Sequence, residues 1–224
     1  FAMLKLRYRS GGPRRPPRVV IIGPTGSGRS AHARILAEAF GLVHVHPEEL
    51  IKAEAERNPG IKLKIKESLE KGEQVPDEIV LRLIDARMRQ SDCRVNGWVL
   101  DGFPQSETQV NLLKSMRIKP TLVCLFEQAQ DESIRRLGNR RLDPNTGELY
   151  NLVKEPPRSE TVSKRLVTRV EDNETNVKKR YVSWNASISL LEETYKNMLL
   201  SVASDKDIDA VAEQIMEAVE NPVF

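Results

Sequence analysis

The stretch Gly23-Pro24-Thr25-Gly26-Ser27-Gly28-Arg29-Ser30 lies between an apolar run at 19–22 and residues 30–40, where Ala33, Leu36, Ala37 and Phe40 recur at helical spacing. A buried strand, a glycine-rich turn and an amphipathic helix in that order are the opening of a layered α/β domain. The spacing matches G-x-x-x-x-G-K-[ST], with Arg29 in the lysine position. Gly26 and Gly28 let backbone N–H groups wrap a polyphosphate, while the helix N-terminus points partial positive charge at it. A glycine-rich turn alone occurs in many α/β proteins; the strand before it and the helix after it favour phosphate binding. Arg29 keeps the charge but is planar and longer than a lysine, which phosphate binding tolerates better than chemistry at the phosphate.

Apolar runs and amphipathic stretches continue to alternate. Strands are expected at 42–45, 98–100, 121–126 and, more weakly, 199–203; helices at 47–56, 61–71, 76–90, 173–198 and 208–219, with Gly72 and Pro76 as punctuation. The implied architecture is a five-stranded parallel sheet with helices on both faces. Residues 142–168 break the rhythm: Asp143-Pro144-Asn145-Thr146-Gly147 and Glu155-Pro156-Pro157 read as turns, so this segment is expected to be an irregular inserted lid. Residues 1–17 read as a basic linker and 18–224 as the domain. The chain opens on Phe1 rather than Met, which reads either as a piece of a longer polypeptide or as the remnant of an appended tag.

Charge narrows the function classes. The chain carries 35 Lys and Arg against 32 Asp and Glu, yet residues 1–18 hold six basic groups (Lys5, Arg7, Arg9, Arg14, Arg15, Arg18) and no acid. The rest is slightly acidic, which argues against general nucleic-acid binding. Within it, residues 135–180 hold twelve basic and seven acidic side chains, a local basic region over an acidic body. No apolar run reaches the ~18 residues of a membrane span. Cys93 and Cys124 show no disulfide or zinc pattern, which points to a reducing, cytoplasmic setting; Cys124 is expected in the core and Cys93 near the surface. His44 and His46 alternate at a strand end with only His32 besides, so no metal site is expected. Trp98 and Trp184 read as packing, and Glu192-Glu193 as a solvated helix face.

Two further motifs follow the glycine-rich turn in order. Asp101-Gly102-Phe103-Pro104 ends the strand 98–100 and is followed by Gln109; Arg140-Arg141-Leu142-Asp143 runs through Thr146-Gly147-Glu148-Leu149-Tyr150. With these, the chain from about residue 18 to its end resembles the adenylate kinase family of nucleoside monophosphate kinases, in the long-lid form without lid cysteines.

The resemblance implies a P-loop NTPase fold with an acceptor-nucleotide region at 46–76 and a lid at 141–168. It also implies transfer from ATP·Mg²⁺ to AMP, with no covalent intermediate. On the donor side it implies that Gly26, Ser27, Gly28, Arg29, Ser30, Arg136, Arg140, Leu149, Tyr150 and Lys206 hold ATP. Arg169 and Arg180 would close over the transferring phosphates, and Asp101 would hold the magnesium's water shell. Such transfer needs positioning and cation clamps around spread negative charge. On the acceptor side, Gln74, Val75, Gly102 and Gln109 would hold AMP. There the chain departs from the family: Gln105 and Lys52 stand where arginines are usual, and His46-Pro47-Glu48-Glu49 replaces Ser-Thr-Gly-Asp. A second reading follows, a nucleotide-binding module with little or no turnover inside a larger protein, a setting known for this family in ciliary and flagellar proteins. The resemblance otherwise implies a monomeric domain.

Overall fold

The computed structural model describes residues 16–70 and 75–221. The basic segment 1–15 and Gln74 lie outside them. Strands Arg18–Ile22 (β1), Val43–Val45 (β2), Trp98–Asp101 (β3), Leu122–Glu127 (β4) and Leu199–Ala203 (β7) form a sheet in the order β2-β3-β1-β4-β7, every neighbouring pair parallel. With β1 central, its four apolar residues are fully buried and divide by the period-two rule: Val20 and Ile22 enter one core, Val19 and Ile21 the other.

The first core is closed by helices Asp77–Met88 (α4), Glu107–Ser115 (α6) and Glu174–Tyr195 (α9) through Leu81, Ile84, Val110, Leu113 and Leu191. The second is closed by Arg29–Phe40 (α1) and Ile208–Glu220 (α10) through Ala33, Leu36, Val211 and Ile215. Full burial of one such aliphatic side chain is worth about 1.5–3 kcal/mol. Trp98 and Trp184 both pack in the first core. Helices Pro47–Arg57 (α2) and Pro59–Glu70 (α3) pack on each other, and α2 also packs on α4, with Leu50 and Ile51 against the first core.

Three helices depart from the sequence reading, which named none of them: Ser91–Asn96 (α5), Glu107–Ser115 and Gln130–Gly138 (α7). The segment read as an irregular lid is ordered. Arg140–Leu142 (β5) and Leu149–Asn151 (β6) pair antiparallel, Leu142 bridges to Val167, and Glu160–Arg165 (α8) follows. The organiser is Asp143, whose buried carboxylate accepts two hydrogen bonds from Arg165 at 2.7 and 2.5 Å. That pair holds the Asp143 carboxyl well below the usual carboxylate range. Cys93 is a second correction, because it is buried rather than near the surface. The Arg87 guanidinium, held on Asp92 at 2.9 and 2.8 Å, covers its Sγ at 3.4 Å, and burial raises the thiol pKa.

Candidate functional site

The C-terminal ends of β1, β3 and β4 gather the chemistry. After Ile22 the chain turns through Gly26 and Gly28, with φ of 83° and 85°, and Gly28 caps α1 from this left-handed conformation. The first turn of α1 carries no acid and no side-chain cap, so no side chain of its own offsets the positive end of the helix. Ser27 Oγ is buried with no hydrogen-bond partner. Arg29 Nη1 donates to the Gly23 carbonyl, and its Nε lies 4.0 Å from Asp101 Oδ1. A Cβ added to Gly102 would lie 3.1 Å from that guanidinium, so Gly102 gives Arg29 its room. Burial lowers the Arg29 pKa, and the charges of Asp101 and Glu48 oppose the fall.

Asp101 ends β3 with its side chain fully buried. His44 Nε2 donates to Oδ2 at 3.3 Å, and His46 Nε2 lies 3.6 Å from the same oxygen. Burial works to raise the Asp101 pKa, but the His44 hydrogen bond and the charges of His46 and Arg29 hold it below the ordinary value. Oδ1 is left without a hydrogen-bond partner. The two histidines, expected to have no metal role, have a partner that the sequence reading did not give them.

Four arginines converge from separate elements. Arg140, at the start of β5, donates to Asp172 at 2.8 and 2.5 Å, and Asp172 is itself buried. Arg180, on α9, donates through Nη2 to the Glu171 carbonyl and lies 3.9 Å from Asp172. Its Nε is buried and unpartnered. Burial lowers the Arg180 pKa, with Arg140 nearby pushing the same way. Arg169 pairs with the Glu171 carboxylate and lies 3.9 Å from Glu48. Arg29, Arg140 and Arg180 are close enough for their charges to repel. Such a cluster is stable only with counter-charge, and Asp101, Glu171, Asp172 and Glu48 provide it.

Arg136, on α7, is fixed at 2.5 Å by Glu132 and at 2.8 Å by the Ser204 carbonyl. Hydrogen bonds from Arg135 and Arg136 pull the Glu132 pKa down to about 2. Tyr150, on β6 beside the exposed Leu149, donates to Glu148 at 2.6 Å. Lys206 is exposed in the turn between β7 and α10.

The other residues expected to hold the acceptor are less assembled. Lys52 is exposed on α2, and Val75 packs against the first core. Gln105 donates its side-chain amide to the Gly102 carbonyl and its backbone N–H to Gln109 Oε1 at 2.8 Å. Gln109 Nε2 donates to Asp77 at 2.7 Å, so both ends of that amide are engaged within the chain. Sequence reasoning missed Asp77, Asp172 and Arg165, and had Asp143 only as part of a turn and of the lid motif. Only the Glu171-Asp172 pair beside Arg169 offered a signal, as a local charge match.

Residues 21–199 match the family model described as adenylate kinase. The chloroplastic adenylate kinase of Zea mays is 36% identical over 202 residues, covering 90% of this chain and 91% of that protein. The adenylate kinase of Giardia intestinalis is 31% identical over 207 residues, covering 92% and 82%. Adenylate kinase 8 of Homo sapiens is 35% identical over 208 residues, and there the chain spans 92% of itself but 43% of the relative.

Proposed function

The chain belongs to the adenylate kinase family, and on that premise we propose that it transfers the terminal phosphoryl group of ATP·Mg²⁺ to AMP, giving two ADP. The observation that supports this reading best is the convergence of Arg29, Arg140, Arg169 and Arg180 beside a glycine-rich loop whose helix has neither an acid nor a side-chain cap in its first turn. The loop N–H groups and Arg29 would hold the donor's phosphates. Arg140 and Arg169 would exchange their carboxylate partners, and Arg180 the Glu171 carbonyl, for phosphate oxygens as charge spreads in transfer.

The unpartnered Oδ1 of Asp101 suits a hydrated Mg²⁺, which would neutralise phosphate charge when bound. Asp101 would accept from its waters, with His44 and His46 fixing the carboxylate. Arg136 and the β5–β6 hairpin, with Leu149 and Tyr150, would cover the donor, and Lys206 would lie at its base. Gln109 would read the acceptor base after releasing Asp77, beside Val75, Gly102 and Gln74. ADP formation from ATP and AMP at high enzyme concentration tests the reading, and its absence at saturating substrates would overturn it.

A second reading is a nucleotide-binding module with weak turnover, favoured by the engaged Gln109 amide and the exposed Lys52. The chain spans 43% of adenylate kinase 8 but 91% of the Zea mays relative, so both a module and a stand-alone kinase have counterparts among its relatives. Calorimetry separates the readings: ATP binding without AMP binding favours the module.

Two variants probe the departures from the family. Arg29→Lys is expected to preserve or raise turnover severalfold, because an ammonium is a compact donor that does not need the Gly23 carbonyl. Gln105→Arg is expected to lower the KM for AMP about tenfold by adding a charge-assisted contact. Steady-state titration of each substrate checks both.

A further inference from the structure

Glu48 is one of the acidic residues beside the convergent arginines, and the one contributed by the first turn of α2. Pro47 opens α2, and Glu48 follows in its first turn. Its Oε2 lies 3.9 Å from Arg169 Nη2, although the two residues belong to elements far apart in the chain. Its charge also acts on Arg29 and Arg180, opposing the loss of basicity that burial imposes on each. One carboxylate therefore stands within electrostatic reach of three of the four convergent guanidinium groups. It is not locked there, since its side chain is 71% exposed and its pairing is a single long contact.

A carboxylate offers guanidinium groups the same planar pair of oxygen acceptors that a phosphate does. We propose that Glu48 is a specificity-determining residue: its carboxylate occupies the approach to Arg169 that an acceptor's phosphate must use, and competes with that phosphate. The proposal rests on the kinase reading for the identity of the acceptor. A dianionic phosphate entering this space meets a like charge unless Glu48 swings outward. Because the carboxylate is exposed, the competition is modest and screened by salt. Its effect is expected on acceptor affinity more than on the donor, whose phosphates are gripped mainly by the loop and Arg29.

The test compares Glu48→Gln with Glu49→Gln in the full chain. Glu49 is the next residue of the same helix, and no ion pair holds it among the described residues. AMP binding is measured by calorimetry at low and high salt, ATP·Mg²⁺ binding alongside, and ADP formation separately. Glu48→Gln is expected to tighten AMP about three- to tenfold at low salt, with the gain shrinking at high salt. It is expected to leave ATP affinity within about twofold, and Glu49→Gln is expected to do little to either. Equal AMP affinity in parent and Glu48→Gln, equal gains from both substitutions, or no AMP binding in either the parent or Glu48→Gln would overturn the proposal. Failure of the kinase reading is seen separately, as AMP binding that responds to Glu48 without any ADP being formed.

Discussion

Arg140→Ala is expected to lower the rate of ADP formation about a thousandfold and, independently, to weaken the fold. The first effect follows from removing one preorganised cation from a site where positioning and charge neutralisation carry phosphoryl transfer; single such donors are worth about 10²–10³ and arginines of this kind about 10³–10⁵. The second follows from Asp172. Its carboxylate is buried and takes two hydrogen bonds from Arg140, at 2.8 and 2.5 Å. Stripping one partner from a buried pair typically costs about 3–5 kcal/mol. Arg180 at 3.9 Å softens that cost, and the Arg140 side chain is itself partly exposed, so about 2–3 kcal/mol is expected. Removing both partners, as Arg140→Ala with Asp172→Ala, should recover most of the stability and none of the activity. Urea denaturation and a coupled assay for ADP read the two effects separately. A single variant with unchanged stability would show that Arg180 already neutralises Asp172, and one retaining a tenth of its activity would remove Arg140 from the transfer step.

The same Asp172 shows where sequence reasoning stops. The sheet was legible because β1 reads as an unbroken apolar run, as a strand buried on both faces must, and because a glycine-rich turn follows it. The five strands were placed by such runs, and α1, α9 and α10 by helical spacing. Helix α5 was not, since six residues make fewer than two turns and no period can show. Helix α7 was missed for another reason: it is nine residues long, and Leu137 is the one apolar residue it buries. Cys93 lay among polar neighbours, and only the packing of α4 and the Arg87–Asp92 pair close over it. The arginines of the candidate site could be named because each sits at a recognisable interval. Their partners were harder to name: Asp172, which holds Arg140, and Asp77, which holds Gln109, acquire meaning from the crossing of separate elements, while Glu48 stood out only as an acid where the resemblance expects none. The lid's order likewise depends on a long-range pair, Asp143 with Arg165, that no local spacing announces.

Gly23→Ala is the substitution expected to damage phosphate binding most directly without touching a charged group. A Cβ at this position would lie 2.6 Å from the Cβ of Phe126, 3.1 Å from the Phe126 carbonyl oxygen and 3.0 Å from Ser27 Oγ. Phe126 is buried in the second core on β4, which is paired along β1, so it cannot yield freely. The glycine-rich loop must rise instead, carrying with it the Gly23 carbonyl that holds Arg29. Overpacking of this kind costs about 1–3 kcal/mol of stability. A displacement near 1 Å in a positioning element is worth about 10² in function, so ATP·Mg²⁺ affinity is expected to fall about a hundredfold. Gly41→Ala supplies the control. Gly41 ends α1 with φ of 66° and nothing lies within 4 Å of an added Cβ, so alanine there costs only the backbone strain, about 1 kcal/mol, and should leave ATP binding unchanged. Calorimetry with ATP·Mg²⁺ on folded samples of both variants distinguishes the cases. If Gly23→Ala binds as tightly as Gly41→Ala, the loop can lift from β4 and keep its grip, and close packing against Phe126 is not what shapes the phosphate site.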